Sequence, residues 1–200
     1  IGVRLVGSEM CIRDSIYARD SRARLHLTRE MLTRVLSYHQ VMPGYIDFLH
    51  SFGTQVNARG KFFTGFYQQT VLGEDTQIPQ QYQLSYNLRG VASKPAAGGK
   101  VDWSIRQAAF HHQFDVVQGT AVWIVIKGRK DILERFDILS QSSPKLSFDT
   151  PQACFKSSLE VHRMFCRWST EDWRRYIDYL EDSLNSDVSL NTLSKPAEFV

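Results

Sequence analysis

The stretch DWSIRQAAFHHQFDVVQGTAVWIVI, residues Asp102 to Ile126, decides how this chain folds. Trp103 to Phe114 and Thr120 to Lys127 both read as strands, and DVVQG between them suits a hairpin closed near Gly119. AVWIVI, Ala121 to Ile126, is apolar at every position, so both of its faces need cover, as in a central strand with helices above and below. It is also the longest apolar run, far short of the roughly twenty residues that a membrane-spanning helix needs. No membrane contact is expected of these residues.

Upstream, Tyr82, Leu84, Tyr86 and Leu88 alternate with Gln83, Ser85, Asn87 and Arg89, the pattern of a half-buried strand. Lys61 to Gln69 is aromatic-rich around Gly65. Gly73 to Gln81 reads as a polar loop, and SKPAAGGK, Ser93 to Lys100, as a flexible connection between strands.

Helical periods flank these strands. Thr28 can cap a helix over about 28–40 with Met31, Leu32, Val35, Leu36 and His39 on one stripe. Pro43 suits the first turn of a short second helix that buries Tyr45, Phe48, Leu49 and Phe52 and stops at Gly53. From Thr150 the helical period returns, with Phe155, Leu159, His162 and Cys166 on one stripe and Val161, Phe165 and Trp168 beside it. Ser169 and Thr170 then offer a second cap before Trp173, Ile177, Leu180 and Leu184, while the tail from Asn185 reads as loose. The fold class expected is α+β, a mostly antiparallel sheet of four or more strands covered by helices. Trp103, Ile105, Phe110, Trp123 and Ile124 are the expected core, and Arg106 and Gln107 are expected at a sheet edge or interface.

Composition bounds function. The chain carries 24 Lys and Arg against 21 Asp and Glu, a net charge of +3, with its basic residues scattered, so no nucleic-acid partner is expected. At 42% hydrophobic and 12% aromatic it should fold, as one domain. LVGSEMCIRDS, Leu5 to Ser15, has no structural period and resembles a translated transposase sequencing adapter. Residues 1–15 are therefore set aside as an artefact expected outside the packed core, 16–186 as the domain and 187–200 as a tail. Cys154 and Cys166 then remain, spaced for neither a zinc pair nor a disulfide framework.

Chemical signals are few, and no enzyme is expected. No Gly-x-Ser-x-Gly elbow is present, and Gly98-Gly99-Lys100 lacks the Ser or Thr and the spaced glycine of a phosphate loop. His111 and His112 with Asp115 could supply a base and its carboxylate, or metal ligands. Adjacent strand residues point to opposite faces, which favours one His toward the core and one toward water. His162 and Cys166 share a helix side and read as a buried structural pair, and Asp178, Glu181 and Asp182 as a charged outer face. No catalytic, cofactor or metal residue is assigned.

The blocks HQVMPGYIDFLHSFG (39–53), FFTGFYQQ (62–69), YQLSYNLRGV (82–91), DWSIRQAAFHHQFDVVQGTAVWIVI (102–126) and SLEVHRMFCRWSTEDWRRYIDYLE (158–181), in that order, resemble the N-terminal soluble domain of fungal CorA-like transporter proteins. The resemblance covers Ile16 to about Ser186. It implies a cytoplasmic domain of α/β/α layering, a helical neck, two transmembrane helices further on, and transport of a divalent cation, typically magnesium, by a pentamer. The Gly-Met-Asn selectivity signature and the membrane helices are not in this chain, which reads as a regulatory or assembly domain truncated before its pore. The alternative is a stand-alone, non-catalytic interaction module derived from the same domain.

Overall fold

The computed structural model describes residues 2–5, 11–17, 25, 27–52, 64–73, 78–95, 98, 101–127, 131–142 and 146–193. Its strands are β1 (Gly2–Leu5), β2 (Cys11–Tyr17), β3 (Phe66–Leu72), β4 (Pro79–Pro95), β5 (Val101–Asp115) and β6 (Thr120–Lys127). Its helices are α1 (Arg29–Tyr38), α2 (Tyr45–Leu49), α3 (Asp131–Ser142), α4 (Pro151–Thr170) and α5 (Trp173–Leu193). The strands form one sheet in the order β1-β2-β6-β5-β4-β3, antiparallel throughout except for the parallel pair β2–β6.

The β5–β6 hairpin is the centre of the fold. Asp115 closes it, its Oδ1 accepting from Val117 N at 2.9 Å and Gln118 N at 2.7 Å, and Gly119 takes φ +69°. The period of two then sorts side chains into two cores. Phe110, Phe114, Ala121, Trp123 and Val125 face α3 and α4, where Ile132, Phe136, Cys154, Val161, Phe165 and Trp168 cover them. Ala109, Ile124 and Ile126 face α1 and α2 and meet Met42, Tyr45, Phe48, Leu49 and Phe52. Each fully buried Phe or Ile contributes about 1.5–3 kcal/mol, so a sheet covered on both faces is strongly favoured over one left half-wet. The result is three layers, α/β/α, with β6 apolar on both sides as its sequence demands.

Helix starts follow the capping signals. Thr28 Oγ1 accepts from Met31 N at 3.1 Å, and Thr150 Oγ1 accepts from Ala153 N at 3.2 Å with Pro151 in the first turn. Each satisfies an amide that the first turn leaves without a helical partner.

Several expectations need correction. β4 is not half-buried. Gln83, Ser85 and Asn87 are as buried as Tyr86, and each is satisfied there by a hydrogen bond, with Met42 N, the His111 ring and Gly65 N respectively. Ile105 is 43% exposed and Trp103 only partly buried, because at the outer end of the β4–β5 hairpin α5 gives Trp103 partial cover through Tyr176 and β6 no longer pairs with β5. β4 runs on to Pro95, which pairs with Val101, so the connection is shorter than the flexible segment expected from Ser93. Along α4 the buried stripe is Cys154, Ser157, Ser158, Val161, Phe165 and Trp168; Phe155 and Leu159 are exposed.

Ser169 and Thr170 do not start α5. Their hydroxyls bond back to Cys166 O and Arg167 O within α4, and the break falls at Glu171 and at Asp172, which has φ +63°. α5 then continues to Leu193 through the tail expected to be loose, and α3 was not foreseen. The expected stop at Gly53 lies outside the described residues.

The first residues also contribute backbone to the sheet. β1 pairs with β2, and β2 runs parallel to β6 from Cys11 opposite Ala121 to Tyr17 opposite Lys127. The burial of Leu5, Met10 and Ile12 lies outside the described residues.

Candidate functional site

The period of two places His111 and His112 on opposite faces of β5, and both are buried, at 0% and 5% exposure. The expectation that one of them meets water is therefore wrong. With helices on both faces, a central strand has no wet side.

On the α2 side, His111 Nδ1 lies 2.8 Å from Ser85 Oγ, and Tyr45 stacks obliquely over the ring at 5.4 Å. Around them the polar residues of the sheet hold the α1–α2 layer. Gln83 Oε1 accepts from Met42 N at 2.9 Å while its amide donates to Gln40 O at 3.1 Å. The Tyr45 hydroxyl sits 3.2 Å from Ile124 O, and Gln107 Nε2 donates to the Ser51 hydroxyl, which in turn donates to Phe48 O. Gln107 thus lies against α2, and because β6 pairs with β5 only from Ala108 onward, it and Arg106 have β4 alone beside them among the described strands, a local sheet edge of the kind expected.

On the α4 side, His112 belongs to a chain of three groups. Tyr86 Oη is 2.6 Å from His162 Nδ1, and His162 Nε2 is 3.0 Å from His112 Nδ1. One tautomer pair leaves fewest buried groups unsatisfied. Tyr86 donates to His162, His162 donates through Nε2–H to His112, and His112 carries its own proton on Nε2, which has no hydrogen-bond partner. Trp123 stacks on His112 at 4.1 Å and 18°, closing the space around it.

Burial holds all three imidazoles neutral. It lowers His111 and His162 to about 4, and holds His112 well below the ordinary histidine range, with the neighbouring His162 acting in the same direction. Tyr86 is pushed up, by burial first and then by Cys166. A neutral, enclosed Tyr-His-His chain can orient α4 on the sheet. It presents neither a nucleophile nor an open proton path.

The remaining candidates separate. Asp115 caps the β5–β6 turn and is therefore engaged with backbone amides. His162 turns into the network while Cys166 is exposed, so the two are not the buried pair expected, because Cys166 follows the outer side of α4. Gly98 takes φ +74° in the β4–β5 connection, which leads into a strand and not into the helix of a phosphate loop; Gly99 and Lys100 lie outside the described residues. Asp178, Glu181 and Asp182 are exposed on α5. Among the described residues no group of three His, Cys, Asp or Glu is disposed to hold a metal ion, and no helix is long and apolar enough to cross a membrane.

The sequence reading missed the joining of His112 to His162 and Tyr86. Its signal was present, since a His in the core stripe of β5 and another on the helix above need only the α4 phase to meet. A surface depression of about 330 Å³ lies elsewhere, between α1 and α2, lined by Leu25, Leu27, Thr28, Arg29, Leu32, Leu49 and Phe52. Its walls are mostly apolar, with Arg29 as the charged group.

No curated protein and no solved structure matches the chain. A family model does, that of the CorA-like transporters, over residues 11–191, slightly wider at each end than the resemblance read from the sequence. On that match the chain belongs to the CorA-like transporter family.

Proposed function

We propose that this chain is the cytosolic regulatory and assembly domain of a CorA-like divalent metal cation transporter, with magnesium as cargo and the ion pathway in a part of the protein outside these residues. Family membership supports the transport role. The body supports a non-catalytic one, because its buried titratable groups are neutral and committed to holding helices on a sheet.

The observation that carries the assembly role is α5. Tyr176 packs on Trp103 at 5.8 Å near its start, and beyond that Ile177, Leu180, Leu184 and Val188 are 39–64% exposed at helical spacing. A continuous apolar stripe on a helix directed away from its own core suits packing against other helices of an oligomer, a pentamer by analogy with the family. Residues 16–186 would form the domain proper, and Leu5–Ser15 an adapter-derived addition, which the source DNA reads across the codon for Ser15 would reveal.

The experiment is to replace Ile177, Leu180 and Leu184 together by Asp in the uninterrupted gene product and to measure assembly. Loss of the oligomer with an intact circular dichroism spectrum is expected. An oligomer of unchanged mass would refute the assembly role, and a stop codon soon after Val200, in place of two apolar spans of about twenty residues, would refute the transporter reading.

A further inference from the structure

β3, FYQQTVL, forms one edge of the sheet with β4 as its one strand neighbour, and every one of its residues is exposed. Phe66 is 58% exposed, Leu72 45%, and Tyr67 and Val71 each 37%. The strand has no charge and no proline, and its register shift against β4 comes only at Val71/Leu72. Edges of natural sheets are commonly blunted by charge, proline, bulges or cover, since an open row of amides and carbonyls templates another strand. This edge has β-forming side chains on both faces and none of the charged gatekeepers.

We propose that β3 is a homotypic docking edge, pairing antiparallel with β3 of a second copy of this chain to extend the sheet across a two-fold axis at Gln69. The sequence of the strand is self-complementary in that register. Phe66 faces Leu72 of the other copy, Tyr67 faces Val71, Gln68 faces Thr70, and Gln69 faces Gln69. It is the register in which the whole strand pairs, and each face receives an aromatic opposite an aliphatic side chain, the kind of cross-strand contact that stabilises a sheet. The rings are already braced for it. Phe66 stacks on Tyr86 at 6.4 Å, and Tyr67 packs on Phe48 at 5.3 Å with its hydroxyl donating to Asp47 at 3.1 Å.

The interface is a single strand wide, so association should be reversible and weak, in the range from about 10 µM to about 1 mM. Sedimentation equilibrium over that range tests it, on the full chain carrying Leu184→Asp to remove association through α5. Gln69→Lys and Gln69→Glu each set like charges directly opposite one another and should weaken dimerisation by about tenfold or more, while an equimolar mixture of the two should recover it. Both substitutions lie at an exposed position, so melting temperatures should match that of the parent. A parent that stays monomeric to about 1 mM, variants that associate as well as the parent, or a mixture that fails to recover would each overturn the proposal.

Discussion

Acid should unfold this protein through its buried histidines well before its carboxylates titrate. His111 and His162 are held neutral with folded values of about 4, against 6.5 when unfolded. The folded values are depressed, so the unfolded chain binds more protons below 6.5, and stability that is complete above about pH 7 is lost progressively as pH falls toward 4. For one such group the loss between about pH 7.5 and about pH 5 is RT ln[(1 + 10^1.5)/(1 + 10^−1)], about 2 kcal/mol. The two lie on opposite faces of the sheet and should add, giving about 4 kcal/mol, a large part of the 5–15 kcal/mol typical of a domain. His112 shifts in the same direction and makes this a lower figure. Glu171, lowered mainly by its hydrogen bond to Arg135, contributes stability that is lost only below the ordinary glutamate range, outside this window. Urea unfolding followed by tryptophan emission should therefore show the midpoint falling by about 2 M between these pH values, for an m-value of about 2 kcal/mol/M. His162→Gln should remove about half of that pH dependence. A midpoint that moves by less than about 0.5 M would refute the assignment of buried, neutral imidazoles.

Other substitutions test particular joints. Tyr86→Phe removes the donor to His162 Nδ1 inside the α4 core and should cost about 1–2 kcal/mol at neutral pH, read from urea midpoints. Gly119→Ala places a Cβ 2.4–2.8 Å from Pro151 on a backbone at φ +69°, so it should destabilise by about 2 kcal/mol or more and displace the start of α4, visible as lost amide protection at Cys154. Thr150→Ala deletes the cap on Ala153 N and should cost about 1 kcal/mol without altering the fold, as judged by an unchanged circular dichroism spectrum.

How much of this was legible in the sequence depended on what each residue was packed against. AVWIVI announced a strand covered on both faces, and Phe110, Trp123 and Ile124 lie in the core as expected. Tyr45, Phe48, Leu49 and Phe52 are buried as their spacing requires, and the Thr28 cap is in place, whereas the cap expected at Ser169 and Thr170 is not. The polar half of β4 was misread because alternation shows polarity and not exposure. Gln83, Ser85 and Asn87 look solvated until their partners, the Met42 amide, the His111 ring and the Gly65 amide, are known. The phase of α4 failed for a related reason, as large Phe155 and Leu159 stay out while small Ser157 and Ser158 are buried, Ser157 through hydrogen bonds with the backbone of Ser147. The Tyr86–His162–His112 chain depended on both readings at once, since it joins a strand face to a helix face that only the correct phase brings together.

The proposed service of this α/β/α body to a cation transporter is tested by magnesium uptake into proteoliposomes that carry the uninterrupted gene product. Influx driven by a magnesium gradient is expected, and should be lost when Ile177, Leu180 and Leu184 are replaced by Asp. Liposomes that take up no more magnesium with the folded protein than without it would contradict the claim.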